Sequence, residues 1–180
     1  MEVLKINYRV KRKQENSRLC LVCGWQNQLG LHAEFFELEN DELVAVYSPL
    51  EEHQSYPGRL HGGVAGAILD ETIGRAIMIG HPDVWGVTVE LNLRYHAPVP
   101  LNEELRIVGR ITRDSSRIFE GTGEILLADD TIAVSAQGKY MKMSLNKIAD
   151  WDTTGDEWRV AEAGATPTWI DLPGLKKTDT

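Results

Sequence analysis

Polar and apolar residues alternate along several stretches of this chain, and one long stretch between them is apolar on nearly all sides. Residues 61–79 carry small or aliphatic side chains at most positions, which is typical of a buried helix. Residues 84–96 alternate with a period of two, and prolines 98 and 100 follow, so we predict a long strand that ends there. One face would carry Val87, Val89, Leu91, Leu93 and Tyr95, and the other Thr88, Glu90, Asn92, Arg94 and His96.

Further strand patterns lie on both sides of this predicted helix. Residues 30–38 and 42–48 are predicted to form a hairpin joined by the polar turn 39–41. Strands are also predicted over 104–113, 118–127 and 131–143, because turn residues separate these β-rich segments. The order strand, strand, helix, four strands favours an α+β fold in which one curved antiparallel sheet wraps around one central helix, the hot-dog fold.

The two ends of the chain differ in composition from its centre. Residues 1–19 are rich in Lys and Arg and are predicted to form a solvated N-terminal arm or a first helix. The hot-dog domain is expected over 20–144. Residues 145–180 are acidic and rich in turn residues, yet they contain three of the five tryptophans, Trp151, Trp158 and Trp169. Linkers seldom carry so much aromatic surface, so we expect this tail to dock partly on the domain.

Two adjacent acids interrupt the apolar helix pattern. Glu71 has a partner in Arg75, four residues later and in the favourable order, whereas Asp70 has no partner in its own helix. Mostly small residues surround Asp70 on the helix surface: Gly63, Gly66, Ala67, Ile73, Gly74 and Ile77. This stripe either lines a narrow cleft for a substrate or packs closely on a neighbouring element, with Asp70 bonded to backbone or water.

The start of the helix offers unpaired hydrogen-bond donors. The turn at Pro57-Gly58 leads into His61-Gly62-Gly63, whose backbone N–H groups have no intrahelical acceptor. Such amides, at the positive end of the helix dipole, suit a carbonyl oxygen that gains negative charge during a reaction. Gly62 and Asp70 are eight residues apart, roughly 12 Å along the axis, so one carbonyl cannot contact both. If both act on one substrate, they belong to different subunits, and we expect a two-fold dimer with two equivalent sites.

Composition narrows the class of protein. With 180 residues the chain fits one soluble domain, and 19 basic against 27 acidic residues, a net charge of -8, argue against general nucleic-acid binding. No apolar run is long enough to span a bilayer and the N-terminus lacks the apolar core of a signal peptide, so we expect no membrane association and a cytoplasmic location. The motifs of serine-hydrolase elbows, phosphate-binding loops and dinucleotide-binding turns are absent from the sequence.

Two cysteines, Cys20 and Cys23, are too few for a disulfide framework. They suggest a zinc site, but with His32 they would supply only three of the four ligands that are usual in structural sites. We therefore interpret them as buried packing thiols and expect no bound metal.

In its predicted central helix and in the strand that follows, the chain resembles the acyl-CoA thioesterases of the hot-dog fold, in particular the phenylacetate-pathway (PaaI-like) type. That family carries His-Gly-Gly at the start of its central helix and an acid nine residues after the His, which here are His61-Gly62-Gly63 and Asp70. Other matching positions are Gly86-Val87-Thr88-Val89, Asn92, Tyr95 and Pro98, and, for one subgroup, residues 20–24 with Asn27, Gly30 and Leu31. The resemblance covers about residues 20–143.

The resemblance implies an acyl-CoA thioesterase that releases free acid and CoA without a metal or redox cofactor. The Gly62 N–H would hold the oxyanion, and Asp70 of the opposite subunit would attack the carbonyl or activate a water. Thr88 would hold that water, or would only be a β-branched strand residue. His61 would position the loop or the substrate carbonyl, or would only cap the helix.

Other residues are expected to bind the substrate. Relatives often carry an Asn or Gln six or seven residues before the His, whose amide helps to hold the catalytic acid or the water. Here those positions are Ser55 and Gln54, and Gln54 is the candidate substitute in this catalytic role. Since CoA carries phosphates, Arg59 and Arg94 are candidates for its binding, although each is also interpretable as a solvated surface charge. Ser55, Gly63 and Asn92 complete the expected substrate-binding set.

Two other functions fit the same pattern. The first is a non-catalytic acyl-CoA sensor or carrier, which binds but releases no thiol. The second is a hot-dog hydratase or dehydratase acting on an enoyl-CoA, although such enzymes typically need an acid paired with a histidine. Dimers of this fold can pair again into tetramers, so the expected homo-oligomer is a dimer or a tetramer.

Overall fold

The computed structural model describes residues 5–148, 157–160 and 165–173. The strands in these ranges are β1 Lys5–Lys13, β2 Asn16–Ser17, β3 Glu34–Leu38, β4 Leu43–Tyr47, β5 Trp85–Tyr95, β6 Leu105–Asp114, β7 Ile118–Leu126, β8 Ile132–Met143, β9 Trp158–Arg159 and β10 Trp169–Pro173. Helix α1 spans Gly62–Ala76 and the short helix α2 spans Leu145–Ile148. Single 3-10 turns cover Glu51–His53 and Ile77–Ile79.

Eight of these strands form one antiparallel sheet in the order β10-β1-β3-β4-β6-β7-β8-β5, and β2 pairs separately with β9. Helix α1 packs across one face of this sheet, against β4 to β8. The predicted hot-dog fold is therefore confirmed. The predicted strands agree with the observed ones to within one residue at each end, except that the strand predicted to begin at residue 30 begins at Glu34.

The core lies between α1 and the inward face of the sheet. Ile68, Leu69 and Ile73 of the helix are fully buried there. Glycines on β6 and β7 let the helix come close, since a Cβ at Gly109 would lie 2.8 Å from a helix backbone oxygen and one at Gly121 would lie 2.6 Å from the Ile73 side chain. This close approach fixes the position of α1, and with it the position of the acids on its surface.

The N-terminal segment departs from its prediction. Residues 5–13 form strand β1, paired with β3 and β10, so the interpretation as a solvated arm or a helix is wrong for these residues. Ile6, Tyr8 and Val10 alternate with polar residues, and Tyr8 and Val10 pack against a second apolar cluster on the outer face of the sheet. This period of two was missed because Lys and Arg occupy more positions of the segment than apolar residues do.

The acidic tail contributes two strands to the structure. Strand β10 pairs with β1, and β9 pairs with β2. The Trp158 ring packs on Trp85 with centroids 4.6 Å apart, while Trp169 on β10 is half exposed. Trp151, which we also expected to dock, lies outside the described residues. Among the residues that are described, no helix is long and apolar enough to cross a membrane.

Candidate active site

The residue before helix α1 caps the N-terminus of the helix with its side chain. His61 is the N-cap, and its Nδ1 accepts a hydrogen bond from the Gly63 N–H at 2.9 Å. The capping interpretation of His61 is therefore correct, and one of the two glycine amides predicted to be unpaired has an acceptor. Within the described ranges the Gly62 N–H makes no hydrogen bond, while the Gly62 carbonyl accepts one from the Tyr95 hydroxyl at 2.7 Å.

Every fourth residue of α1 from Gly62 onwards faces strand β5 or its neighbour. A Cβ at Gly62 would lie 3.4 Å from Tyr95 Oη, one at Gly66 would lie 3.0 Å from Leu93 Cδ1, and one at Gly74 would lie 3.3 Å from Tyr140 Cε1. The small residues on this side of the helix thus serve close packing, one of the two interpretations of the stripe. Asp70 is the only polar residue in this row, and it remains partly exposed.

The Asp70 carboxylate is held by two hydroxyl groups from the sheet. Thr88 Oγ1 lies 2.9 Å from Oδ1 and 3.1 Å from Oδ2. Tyr140 Oη lies 3.1 Å from Oδ1 and 3.2 Å from the backbone oxygen of Asp70. Asp70 and Thr88 were both predicted as site residues, and the structure brings them together. Tyr140 was missed, because only the register of β5 against β8 shows that it lies opposite Thr88.

A β-bulge aims Thr88 at the helix. Thr88 pairs with Tyr140 and Glu90 with Lys139, so Val89 is an extra residue in β5. A strict period of two places Thr88 on the face opposite Leu91, and that part of the predicted alternation is wrong. Because Val89 is the extra residue, the residues before it point to the face opposite to the one that a strict period of two predicts. Thr88 therefore shares the inward face with Leu91 and Leu93. Val89 itself is 54% exposed.

The surroundings of Asp70 change its proton affinity in opposite directions. Burial raises the pKa of Asp70 above its ordinary value, and the hydrogen bonds from Thr88 and Tyr140 partly oppose this effect. Burial, and then the neighbouring Asp70 charge, raise the pKa of Tyr140. Tyr140 therefore remains a protonated donor at neutral pH, while Asp70 is a stronger base than an exposed aspartate.

The predicted residues before α1 lie on an exposed loop. Gln54 forms a single backbone bridge with Leu60, and the Ser55 N–H donates to the Arg59 carbonyl at 2.9 Å. The side chains of Gln54, Ser55 and Arg59 are exposed. In the described part of this one chain, the Asp70 carboxylate accepts hydrogen bonds from the sheet alone, so the structure does not bring these loop residues to it.

Asn92 and Arg94 lie on the outer face of β5. They alternate with Leu93, which faces the helix, and both are exposed. The Asn92 amide donates to Glu90 Oε1 at 2.8 Å. Within one protomer these two predicted substrate-binding residues therefore lie on the opposite face of the sheet from Asp70.

A second polar cluster lies beside Asp70, around its neighbour Glu71. The predicted pair is confirmed, with Arg75 Nε 2.9 Å from Glu71 Oε1. Possible ligand atoms of Cys20, Cys23 and Glu71 lie within 4.8 Å of one another, a set that differs from the Cys20, Cys23 and His32 set considered from the sequence. The buried Arg75 guanidinium lies 3.2 Å from Cys23 Sγ, so its positive charge opposes a cation there.

Comparison with known proteins shows what this chain is similar to. Residues 57–134 match the family model described as the thioesterase superfamily, which confirms the predicted resemblance at the level of that superfamily. The chain is 26% identical over 102 residues to acyl-coenzyme A thioesterase 13 of Mus musculus, a match that covers 57% of this chain and 72% of that protein.

Solved structures agree with this result. A crystal structure described as a thioesterase superfamily protein is 31% identical, with a TM-score of 0.64 over 69% of this chain and 60% of that one. A phenylacetic acid degradation-related protein from Ralstonia eutropha JMP134 has 20% identity and a TM-score of 0.56, and covers 62% of this chain and 85% of its own. At that identity the second likeness shows the fold alone, so the phenylacetate-pathway subtype stays a prediction.

Proposed function

We propose that this protein hydrolyses an acyl-CoA thioester to the free acid and CoA, with Asp70 as the acid that performs the reaction. One observation carries the proposal: a partly buried carboxylate on the central helix of this fold, held in place by Thr88 and Tyr140 from the sheet. The mouse relative is described as an acyl-coenzyme A thioesterase, which supports the same substrate class here.

In this proposal the carboxylate either attacks the thioester carbon or removes a proton from an attacking water. Burial raises the pKa of Asp70 and so increases its strength as a base. Thr88 and Tyr140 both donate to Oδ1, while Oδ2 has only the more distant contact with Thr88. Oδ2 is therefore the oxygen with free capacity to accept a proton from water.

The carbonyl oxygen of the substrate needs a donor at the position where negative charge develops. The Gly62 N–H is at the N-terminus of α1, and its lack of an acceptor in the described ranges leaves it free for this purpose. Arg59 is an exposed cation three residues earlier and is our candidate for contact with the CoA phosphates. The co-substrate is water, and the proposal uses the chain's own residues without a metal or a redox cofactor.

Because Gly62 and Asp70 lie far apart on the same helix, we propose a dimer whose sites are shared between two subunits. Gly62 and Asp70 are eight residues apart, roughly 12 Å along the helix, so the amide and the acid at one thioester come from two subunits. Strand β5 is the last strand at one end of the sheet, it has eleven residues, and Tyr95 on it is 53% exposed. A long exposed edge of this kind favours antiparallel pairing with a second copy.

The alternatives differ in what they need at Asp70. A hydratase of this fold is expected to pair its acid with a histidine, whereas the hydrogen bonds of Asp70 in the described residues come from Thr88 and Tyr140. A non-catalytic acyl-CoA carrier needs a binding site for acyl-CoA but not the base. The tetramer and the cytoplasmic location stay predictions.

A complementation experiment tests the shared site. Gly62 is the first residue of α1, where proline fits, so Gly62→Pro removes the proposed donor and keeps every helix hydrogen bond. The preceding His61 has φ -66 and ψ 132, which is compatible with a following proline. We expect Gly62→Pro and Asp70→Asn to be inactive separately in a thiol-release assay with acyl-CoA.

Co-expression of the two variants is expected to restore activity. A mixed dimer has one site with both changes and one site with neither, so random pairing gives about a quarter of the wild-type activity. Failure of the wild type to release thiol would contradict the proposed function. If the wild type is active but the co-expressed variants regain no activity, only the proposed sharing of the site between two subunits is contradicted.

A further inference from the structure

The cysteines of the CxxC motif lie close together in a loop against helix α1. They belong to the turn between β2 and β3, where the Gly24 N–H donates to the Cys20 carbonyl at 2.9 Å. Cys20 is partly exposed and Cys23 is buried. The two sulfur atoms lie within 4.8 Å of each other, so a small rotation of the side chains would bring them to the roughly 2.05 Å of a disulfide bond.

The partly exposed sulfur has several hydrogen-bond partners. Cys20 Sγ accepts from the backbone N–H groups of Val22 and Cys23 at 3.3 and 3.5 Å. Glu71 Oε2 lies 3.2 Å from the same sulfur and is placed to accept its proton. The hydrogen bond from the Cys23 thiol, with the two backbone amides, lowers the pKa of Cys20, although its partial burial and the nearby Glu71 charge act in the opposite direction. The accessible cysteine is thus the more nucleophilic of the two.

The buried sulfur has a different environment. Arg75 Nη2 lies 3.2 Å from Cys23 Sγ, and the Ser17 N–H donates to the same atom at 3.4 Å. Its hydrogen bond to Cys20 and its burial raise the pKa of Cys23. Once Cys20 no longer receives that hydrogen bond, the guanidinium is placed to stabilise a Cys23 thiolate. A partly exposed attacking thiol with a buried second thiol behind it is the arrangement that thiol–disulfide exchange requires.

We propose that Cys20 and Cys23 are a redox-active dithiol that low-molecular-weight disulfides oxidise to an intrachain disulfide. Cys20 loses its proton and attacks one sulfur of the small disulfide, forming a mixed disulfide and releasing the first small thiol. Cys23 then loses its proton and attacks Cys20 Sγ, which forms the intrachain bond and releases the second small thiol. The protein is oxidised by two electrons and the small disulfide is reduced to two thiols.

A metal ion is the competing occupant of this cluster. Cys20, Cys23 and Glu71 offer three ligand atoms, but in the described residues Arg75 already contacts both Cys23 and Glu71. Arg75 is 4% exposed and stacks over the Phe35 ring at 4.5 Å, so it cannot easily move away to admit a divalent cation. The same guanidinium favours thiolates, and the geometry therefore favours redox chemistry over metal binding.

The test uses the native full chain, oxidised glutathione as the oxidant, and alkylation after denaturation followed by intact mass measurement. We expect the wild type to lose both alkylatable thiols and to retain no glutathione. Cys23→Ser should stop at the mixed disulfide and retain one glutathione. Cys20→Ser, the matched control, should react at least about tenfold more slowly, because its remaining thiol is buried.

Three results would overturn the proposal. The first is a wild type that keeps both thiols under oxidation that glutathionylates the Cys23→Ser variant. The second is equal reaction of the two single variants. The third is a purified wild type that contains one equivalent of zinc and is oxidised only after this zinc has been removed. Since the third result comes from the wild type alone, the proposal stays testable even if a variant does not fold.

Discussion

The Tyr140 hydroxyl is the contact of Asp70 that the sequence did not reveal, and its removal is the sharpest perturbation of the site. The Tyr140 ring is fully buried and stacked on Phe119, with centroids 5.0 Å apart. Tyr140→Phe keeps this ring and removes one oxygen, so the core packing is retained. Any change in activity therefore reports on the hydrogen bond from Tyr140 to Asp70.

The structure sets the size of the expected effect. A hydrogen bond to a charged group contributes about 1.5–3 kcal/mol, and here the lower end applies. Asp70 is only partly buried, and the hydroxyl lies 3.1 Å from Oδ1 and 3.2 Å from the backbone oxygen, so one proton serves two long contacts. About 1.5 kcal/mol corresponds to about a tenfold loss of kcat/KM in Tyr140→Phe.

The pH dependence gives a second readout with a definite sign. The hydrogen bond from Tyr140 lowers the pKa of Asp70, so its loss raises that pKa further. Since the base must be ionised, the acidic limb of the profile of kcat/KM against pH should move to higher pH. Thiol release from an acyl-CoA, followed across pH, measures both effects.

Tyr47→Phe is the matched control for this experiment. Tyr47 is also buried, and its hydroxyl lies 2.8 Å from His53 Nδ1 rather than near Asp70. We expect this variant to keep the wild-type profile, even if its stability falls. An unchanged acidic limb in Tyr140→Phe, or the same displacement in Tyr47→Phe, would refute the role given to the Tyr140 hydroxyl.

Four further predictions concern Asp70, its neighbour Glu71 and strand β5. Thr88→Val should lower kcat by about tenfold and move the acidic limb to higher pH, as kinetics against pH would show. Asp70→Asn should raise the urea midpoint at pH 7 but not at pH 3, because a raised folded-state pKa means that stability is lost as pH rises through that pKa. Arg75→Leu should lower the free energy of unfolding in urea by about 3 kcal/mol, since the partner Glu71 is left without its cation. Gly86→Ala should cost about 1–3 kcal/mol in the same assay, because its Cβ would lie 2.6 Å from a buried ring carbon and 3.1 Å from a helix carbonyl oxygen.

The central helix and most strands could be predicted because each follows a simple period. Residues 61–79 are apolar around most of the helix, and the observed α1 with its 3-10 turn ends at Ile79, as predicted. Strand β1 was missed because its cations outnumber its apolar residues. Its apolar side chains cover an outer cluster that exists only once β10 has paired with β1.

The site could be predicted only as far as local spacing reaches. His61, Gly62 and Asp70 follow from the helix itself, and the structure gives them the positions that their spacing indicates. The position of Thr88 depends on a bulge, and a period of two cannot show where an extra residue is inserted. Tyr140 is 70 residues from Asp70 along the chain, so its contact depends on the pairing of β5 with β8.

The most direct test of the proposed function is thiol release from a panel of aliphatic and aromatic acyl-CoAs, with the wild type and Asp70→Asn measured side by side. The substitution keeps the side-chain volume and the acceptor oxygen for Thr88, but removes the charge. We expect release by the wild type and a loss of at least about a hundredfold in kcat in the variant, the size expected for a positioned base or nucleophile. Near-normal release by Asp70→Asn, or no release by the wild type from any member of the panel, would contradict the account.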